Sequence, residues 1–194
     1  MIDVTGVVLA GGQGSRMGGI DKGLEPFRGK PMVAHAIERL RPQVDELLVN
    51  ANRNPGAYAG FGHPVISDEI EGFAGPLAGF ERGLAHAMGR LVVTVPCDSP
   101  FLPPDLVARL RAGLEANESD IAVARTADQP HPVFCLMRRE VHPSLQRFLA
   151  SGQRKIDRWY SELRVVEVAF DDKPDAFLNI NTREELASLE PRRS

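Results

Sequence analysis

The chain has 194 residues, 43% apolar and 25% charged, with a formal net charge of -3. That length suits a single domain over residues 1–194 with one sizeable core. The weak negative charge supplies no global basic field to draw the protein to nucleic acid or to an anionic membrane. The two cysteines, Cys97 and Cys135, lack C-x-x-C spacing, which excludes a disulfide framework and a cysteine-built zinc site and fits a reducing cytoplasm. The apolar run after Met1 is too short for a signal peptide or a membrane span.

In chain order, Val4 to Leu9 (VTGVVL) reads as a buried strand. Pro31 stands where a proline at the first helical position would, and Val33, Ile37 and Leu40 follow at helical spacing. Glu46 to Asn50 is the second strand and Pro64 to Ser67 a short third. Leu77, Phe80, Leu84 and Met88 form one apolar helical stripe. Leu91 to Val95 is the continuous apolar run of a central parallel strand. A helix carrying Leu106, Val107, Leu110 and Leu114 follows Pro103-Pro104. Further strands are expected at Ile121 to Ala124, Val133 to Met137 and Leu163 to Val168, and helices near Val141 to Leu149 and Thr182 to Leu189. The tail from Pro191 reads as frayed. This alternation predicts an α/β fold with a mostly parallel sheet and helices on both faces. Ligands of such sheets gather beyond the carboxyl ends of the strands.

The loop after the first strand, LAGGQGSRMGGIDKGL from Leu9 to Leu24, holds several glycines and the cations Arg16 and Lys22. Successive backbone N–H groups in such a loop make an anion nest, and a triphosphate is its usual guest. Two common phosphate motifs fail: Gly29-Lys30 is followed by Pro31 rather than Ser or Thr, and Gly12-Gln13-Gly14 meets its next glycine, Gly18, one residue late for a dinucleotide fingerprint. A solvated glycine turn is the bland alternative. Asp68 and Asp98 each follow a strand, so both belong at the carboxyl edge near this loop. A carboxylate there, beside a triphosphate, suits Mg²⁺, while capping of a turn or helix is the other ordinary task for Asp. Pro100 and the Pro103-Pro104 pair already supply turn chemistry after Asp98, which favours the metal role for that residue. The histidines lack ligand spacing and no G-x-S-x-G elbow exists, so nothing argues for zinc or covalent chemistry.

The segments MGGIDKGL, VNANR (Val49 to Arg53), GPLAG (Gly75 to Gly79), PCDSPFLPPDL (Pro96 to Leu106), HPVF and NINTREEL (Asn179 to Leu186), in this order along nearly the whole chain, together resemble the molybdenum cofactor guanylyltransferase family of nucleotidyltransferases. The resemblance implies a three-layer α/β/α Rossmann-like nucleotidyltransferase fold. It also implies transfer of GMP from GTP to molybdopterin with Mg²⁺ as cofactor. On that footing Leu9, Ala10, Gly11, Gly12, Gly14, Lys22, Asn50, Asp68, Gly75 and Asp98 are nucleotide-binding positions, with Lys22, Arg16 and Asp98 catalytic and Asp98 the metal ligand. Asn179 and Asn181 fall on the pterin side, where Arg154 and Lys155 are placed to meet its phosphate. Molybdenum-cofactor insertion proteins or target enzymes are further partners implied by such a product; nucleic acid and membrane are not. The alternatives left open are a relative using CTP or another phosphorylated acceptor, a non-catalytic nucleotide-gated adaptor, and an NAD-binding domain.

Overall fold

The computed structural model describes residues 2–10, 21–69 and 75–180. Its centre is a seven-stranded sheet built from β1 (Val4–Leu9), β4 (Glu46–Asn50), β5 (Val65–Ile66), β6 (Leu91–Pro96), β7 (Ile121–Thr126), β8 (Gln129–Arg138) and β9 (Val165–Ala169) in the order β5-β4-β1-β6-β8-β7-β9. A separate hairpin pairs β2 (Pro26–Phe27) with β3 (Lys30–Pro31). All neighbouring pairs in the large sheet are parallel except those made by β8, which runs antiparallel to both β6 and β7. The carboxyl ends of the other six strands therefore share one edge.

Strand periodicity divides the core. Val4 and Val8 of β1, with Leu91, Val93 and Val95 of β6, face α1 (Met32–Leu40) and α4 (Leu106–Ala116). Val7 and Val92 face the opposite layer of α3 (Pro76–His86) and α5 (His142–Ala150), where the fully buried Trp159 of α6 (Ile156–Tyr160) also packs. The expected three-layer α/β arrangement with a mostly parallel sheet is observed.

Local departures from the sequence expectation have physical causes. Pro31 sits one residue outside α1, in extended conformation, because it closes the small hairpin. The stripe assigned to α3 ends two residues before Met88: Ala87 turns extended after His86, and Met88 is 62% exposed. The next two backbone amides go instead to side chains, Met88 N–H to Glu46 and Gly89 N–H to Thr5. β8 is longer than its apolar run. Its register against β7 jumps from Val123↔Cys135 to Ala124↔His131, so three residues bulge out. The bulge accommodates Pro132, and the carbonyls it releases accept from side chains: Val133 O from Thr94 and Pro132 O from Tyr160, each at 2.7 Å. The short helices α2 (Pro55–Ala59) and α6, and the hairpin, carry too little periodicity to be predicted. The expected helix from Thr182 to Leu189 lies outside the described residues.

Candidate active site

At the carboxyl edge four neighbouring strands are tied together just past their ends. Ala10 N–H donates to Asn50 O at 2.7 Å, Cys97 N–H to Leu9 O at 3.0 Å, and Ala51 N–H to Ile66 O at 2.9 Å. Chain segments leaving β1, β4, β5 and β6 thus enter one common region, which receives Leu9, Ala10, Asn50, Asp68 and Asp98.

The first cluster is a clamp on Asp68. Asn50 is buried; its Nδ2 donates to Asp68 Oδ1 at 2.8 Å. Asn52 Nδ2 donates to Asp68 Oδ2 at 2.7 Å, and Asn52 Oδ1 accepts from the Asp68 N–H at 2.8 Å. Both carboxylate oxygens are thus held in place, each with lone-pair capacity left for a ligand donor. Asn52 went unassigned in the sequence, although it stands two residues from Asn50 and so projects to the same side of an extended segment. Behind Asn50 stands Gly79 of α3. A Cβ there would come within 2.6 Å of both Asn50 Oδ1 and Leu9 Cδ2, so the helix reaches this contact only because residue 79 is glycine.

The second cluster is ionic. Lys22 opens a single 3₁₀ turn (Lys22–Leu24), and its Nζ lies 3.8 Å from Asp98 Oδ2. Burial pushes the Asp98 carboxyl above its ordinary range, against the opposing pull of Lys22. Among the described residues, Lys22 is the cation that pairs with this carboxylate. The donor set fits a hard divalent cation that takes one or two protein carboxylates and completes its shell with phosphate oxygens and water. Among the described residues no group of three or more His, Cys, Asp or Glu side chains could enclose a metal without a substrate.

The third cluster joins the C-terminal segment to Asp98. After the 3₁₀ turn Pro174–Phe177, Ile180 N–H donates to Asp98 O at 3.0 Å, and the fully buried Ser99 donates its hydroxyl to Asn179 Oδ1 at 2.5 Å. Ser99 therefore sets the direction of the Asn179 carboxamide, a role its place in a Ser-Pro turn did not reveal. Asn179 and Asp98, 81 positions apart in the chain, become neighbours.

Other predicted residues are placed differently. Gly75 precedes α3 at φ 64°, a left-handed conformation that favours glycine. Arg154 uses Nη1 on the carbonyls of Leu149 and Gln153, at 2.9 and 2.7 Å, where it closes the end of α5. Lys155 is exposed and precedes α6. Neither joins the three clusters above. Gly11, Gly12, Gly14, Arg16 and Asn181 lie outside the described residues.

Comparison with known proteins agrees with this fold. The MobA-like NTP transferase domain matches residues 6–166. Proteins named molybdenum cofactor guanylyltransferase from Methylibium petroleiphilum and Cupriavidus necator are each 52% identical to the chain; the alignments cover 98% of it and 97% and 98% of the relatives. The crystal structure of molybdopterin-guanine dinucleotide biosynthesis protein A from Archaeoglobus fulgidus superposes with a TM-score of 0.80 at 25% identity, over 95% of each chain. A match over most of the chain, and half-identical relatives along nearly all of it, establish that this chain belongs to the molybdenum cofactor guanylyltransferases of the MobA-like NTP transferase family.

Proposed function

We propose that Lys22 and Asp98 handle the phosphates of GTP at the end of β6, and that Asn179 presents molybdopterin to them. The reaction is that of the family: GMP passes from GTP to molybdopterin, giving molybdopterin guanine dinucleotide and pyrophosphate. The observation that supports the residue assignment is the stitching of residues 179–180 to residues 98–99, which makes Asn179 a neighbour of the segment that bears Asp98.

The pterin's terminal phosphate has a second pKa of about 6 and is largely dianionic at neutral pH. It needs no strong base to attack the α-phosphorus in line. One P–O bond forms to the acceptor oxygen as the bond to pyrophosphate breaks. The residues' work is then positioning and charge compensation. Lys22 balances charge on the phosphates through attack and departure, with Arg16 and the amides of Gly11, Gly12 and Gly14 as its proposed companions. Leu9 and Ala10 form the floor beneath the nucleotide, and Gly75 lets the chain pass close to it. The Asn50–Asn52 clamp holds Asp68 as a fixed acceptor for nucleotide donors. Asn179, with Asn181, orients the pterin edge, and Arg154 and Lys155 lie on the proposed route of its phosphate. Asp98 would hold Mg²⁺, which when bound would supply Lewis-acid charge neutralisation.

We assign both halves of the site to one domain, the N-terminal part binding GTP and the C-terminal part the pterin. Among the described residues no helix is long and apolar enough to cross a membrane, and we place the enzyme in the cytoplasm, where its product passes to insertion proteins or target enzymes. The deciding experiment supplies purified protein with molybdopterin, Mg²⁺ and each of the four nucleoside triphosphates, and follows pyrophosphate. Release with GTP alone is expected. Turnover with CTP in its place would overturn the guanylyl assignment, and GTP binding without pyrophosphate would make the chain a binding module.

A further inference from the structure

Helix α2 is short, yet one of its side chains and that of the residue preceding it meet on one carboxylate far away in sequence. Asn54 enters the helix in the left-handed conformation, at φ 49° and ψ 42°, and its side chain does not cap the helix. Its Nδ2 donates instead to Asp21 Oδ2 at 3.0 Å. The fully buried Tyr58 donates its hydroxyl to Asp21 Oδ1. Asp21 is extended, at φ -80° and ψ 100°, and its carbonyl accepts from Leu24 N–H at 3.0 Å to start the turn that bears Lys22. Pinning Asp21 to the α2 segment therefore fixes where the turn that bears Lys22 begins, and from that turn Lys22 Nζ reaches Asp98. The Tyr58 hydroxyl also occupies the space a methyl on Gly23 would need, and Cys97 Sγ lies 3.2 Å from the same point. Tyr58 and Cys97, the residue that precedes Asp98, thus both pack against the Lys22 turn at Gly23.

We propose that Tyr58, assisted by Asn54, is a positioning residue for nucleotidyl transfer: acting through Asp21, it sets Lys22 opposite Asp98 before substrate binds. The inference rests on the reading of Lys22 and Asp98 given above and names the device that aligns them. Tyr58 and Asn54 themselves touch no substrate. A lysine held out of line still attracts a triphosphate but no longer meets the charge that develops during transfer, so the loss falls on kcat rather than on KM.

The test is a double-mutant cycle on wild type, Tyr58→Phe, Asp21→Ala and the double variant, with pyrophosphate release from GTP and molybdopterin as the readout. Phenylalanine keeps the buried ring and removes only the hydroxyl. We expect Tyr58→Phe to lower kcat roughly tenfold, the scale of one hydrogen bond to a charged group, with KM for GTP within about twofold. In the Asp21→Ala background the same change alters kcat by less than about twofold, because the acceptor is already gone. Asn54→Gly, which keeps the left-handed backbone and removes the amide, lowers kcat in the same direction. Equal kcat losses in both backgrounds, or a loss confined to KM, would overturn the proposal, since a tyrosine that merely packs has no reason to depend on Asp21. Wild-type protein that released no pyrophosphate with any triphosphate would overturn the functional reading instead. The strut is then read from urea unfolding of the same four proteins. It requires the Tyr58→Phe change in the unfolding constant to be at least about fivefold larger with Asp21 present, and additivity would overturn it.

Discussion

Gly79→Ala is the sharpest probe of how the helix layer shapes the nucleotide site, because residue 79 reaches the site through Asn50 and Leu9. An added Cβ lies 2.6 Å from Asn50 Oδ1 and 2.6 Å from Leu9 Cδ2, where ordinary contacts begin at 3.4 Å, so one or both must move. Overpacking of this kind costs about 1–3 kcal/mol. Replacing a mid-helix glycine by alanine returns about 1 kcal/mol of helix propensity. The net loss of stability should therefore be modest, ~0–2 kcal/mol in urea unfolding. The functional cost is larger. Moving the Asn50 carboxamide breaks its 2.8 Å bond to Asp68. A hydrogen bond to a charged group is worth about 1.5–3 kcal/mol, so KM for GTP should rise roughly tenfold or more. Gly83→Ala, one turn along the same face, is the control. Its Cβ would meet only Val7, at 2.9 Å, among its nearest atoms. It should cost similar stability but leave KM within about twofold. The two variants are compared by urea unfolding and by initial rates of pyrophosphate release against GTP concentration. If Gly79→Ala keeps the wild-type KM, or Gly83→Ala raises it equally, the argument that Asn50 and Leu9 transmit the helix position to the nucleotide is wrong.

The remaining predictions concern the charged groups. Asp98→Asn should abolish metal-dependent turnover yet raise the unfolding temperature at neutral pH. Burial raises the folded carboxyl's pKa, so wild type loses stability as pH climbs from the unfolded value through the folded one, and asparagine does not. For a chain of this size each kcal/mol relieved is worth ~2–4 °C in Tm, and the difference should vanish below about pH 4. Scanning calorimetry at pH 7 that finds the variant less stable would show that the Lys22 pairing, not burial, dominates. Lys22→Ala should lower kcat more than it raises KM for GTP, and a change in KM alone would leave Lys22 with ground-state binding only. Asn52→Ala removes both bonds to Asp68 and should raise KM for GTP several-fold with under about 1 kcal/mol of lost stability, since the pair is exposed. Unchanged GTP titration calorimetry would remove Asn52 from the clamp.

Long, strongly patterned elements were legible from the residues alone. β1, β6, α4 and α5 appear where apolar periodicity put them, because a strand buried on both faces and a helix with one packed stripe each leave a local pattern. Placing Asp68 and Asp98 at strand ends followed from the same pattern, since chain order is enough to say what comes after a strand. Periodicity ends where structure is held by distant partners. α2 spans Pro55 to Ala59 and owes its place to the buried Tyr58 and to Asp21, neither of which leaves a repeat in the sequence. The Met88 error has the same source: a helical stripe continues on paper, while Glu46 and Thr5, from other strands, take the amides that end it.

For the site, the sequence by itself determined the inventory of chemistry: a glycine loop with two cations, carboxylates after strands, and a distal asparagine pair whose motif named a family. It could not say which of these meet, because through-space distance is set by strand order. The order β4-β1-β6 makes neighbours of Asn50, Leu9 and Cys97. The return of the chain after β9 brings Asn179 to Ser99. Only the tertiary structure decided that Lys22 faces Asp98, and that Asp21, one residue earlier, is tied by Tyr58 to α2. Side-chain type is local information, whereas the direction in which a side chain is held depends on every element packed against it.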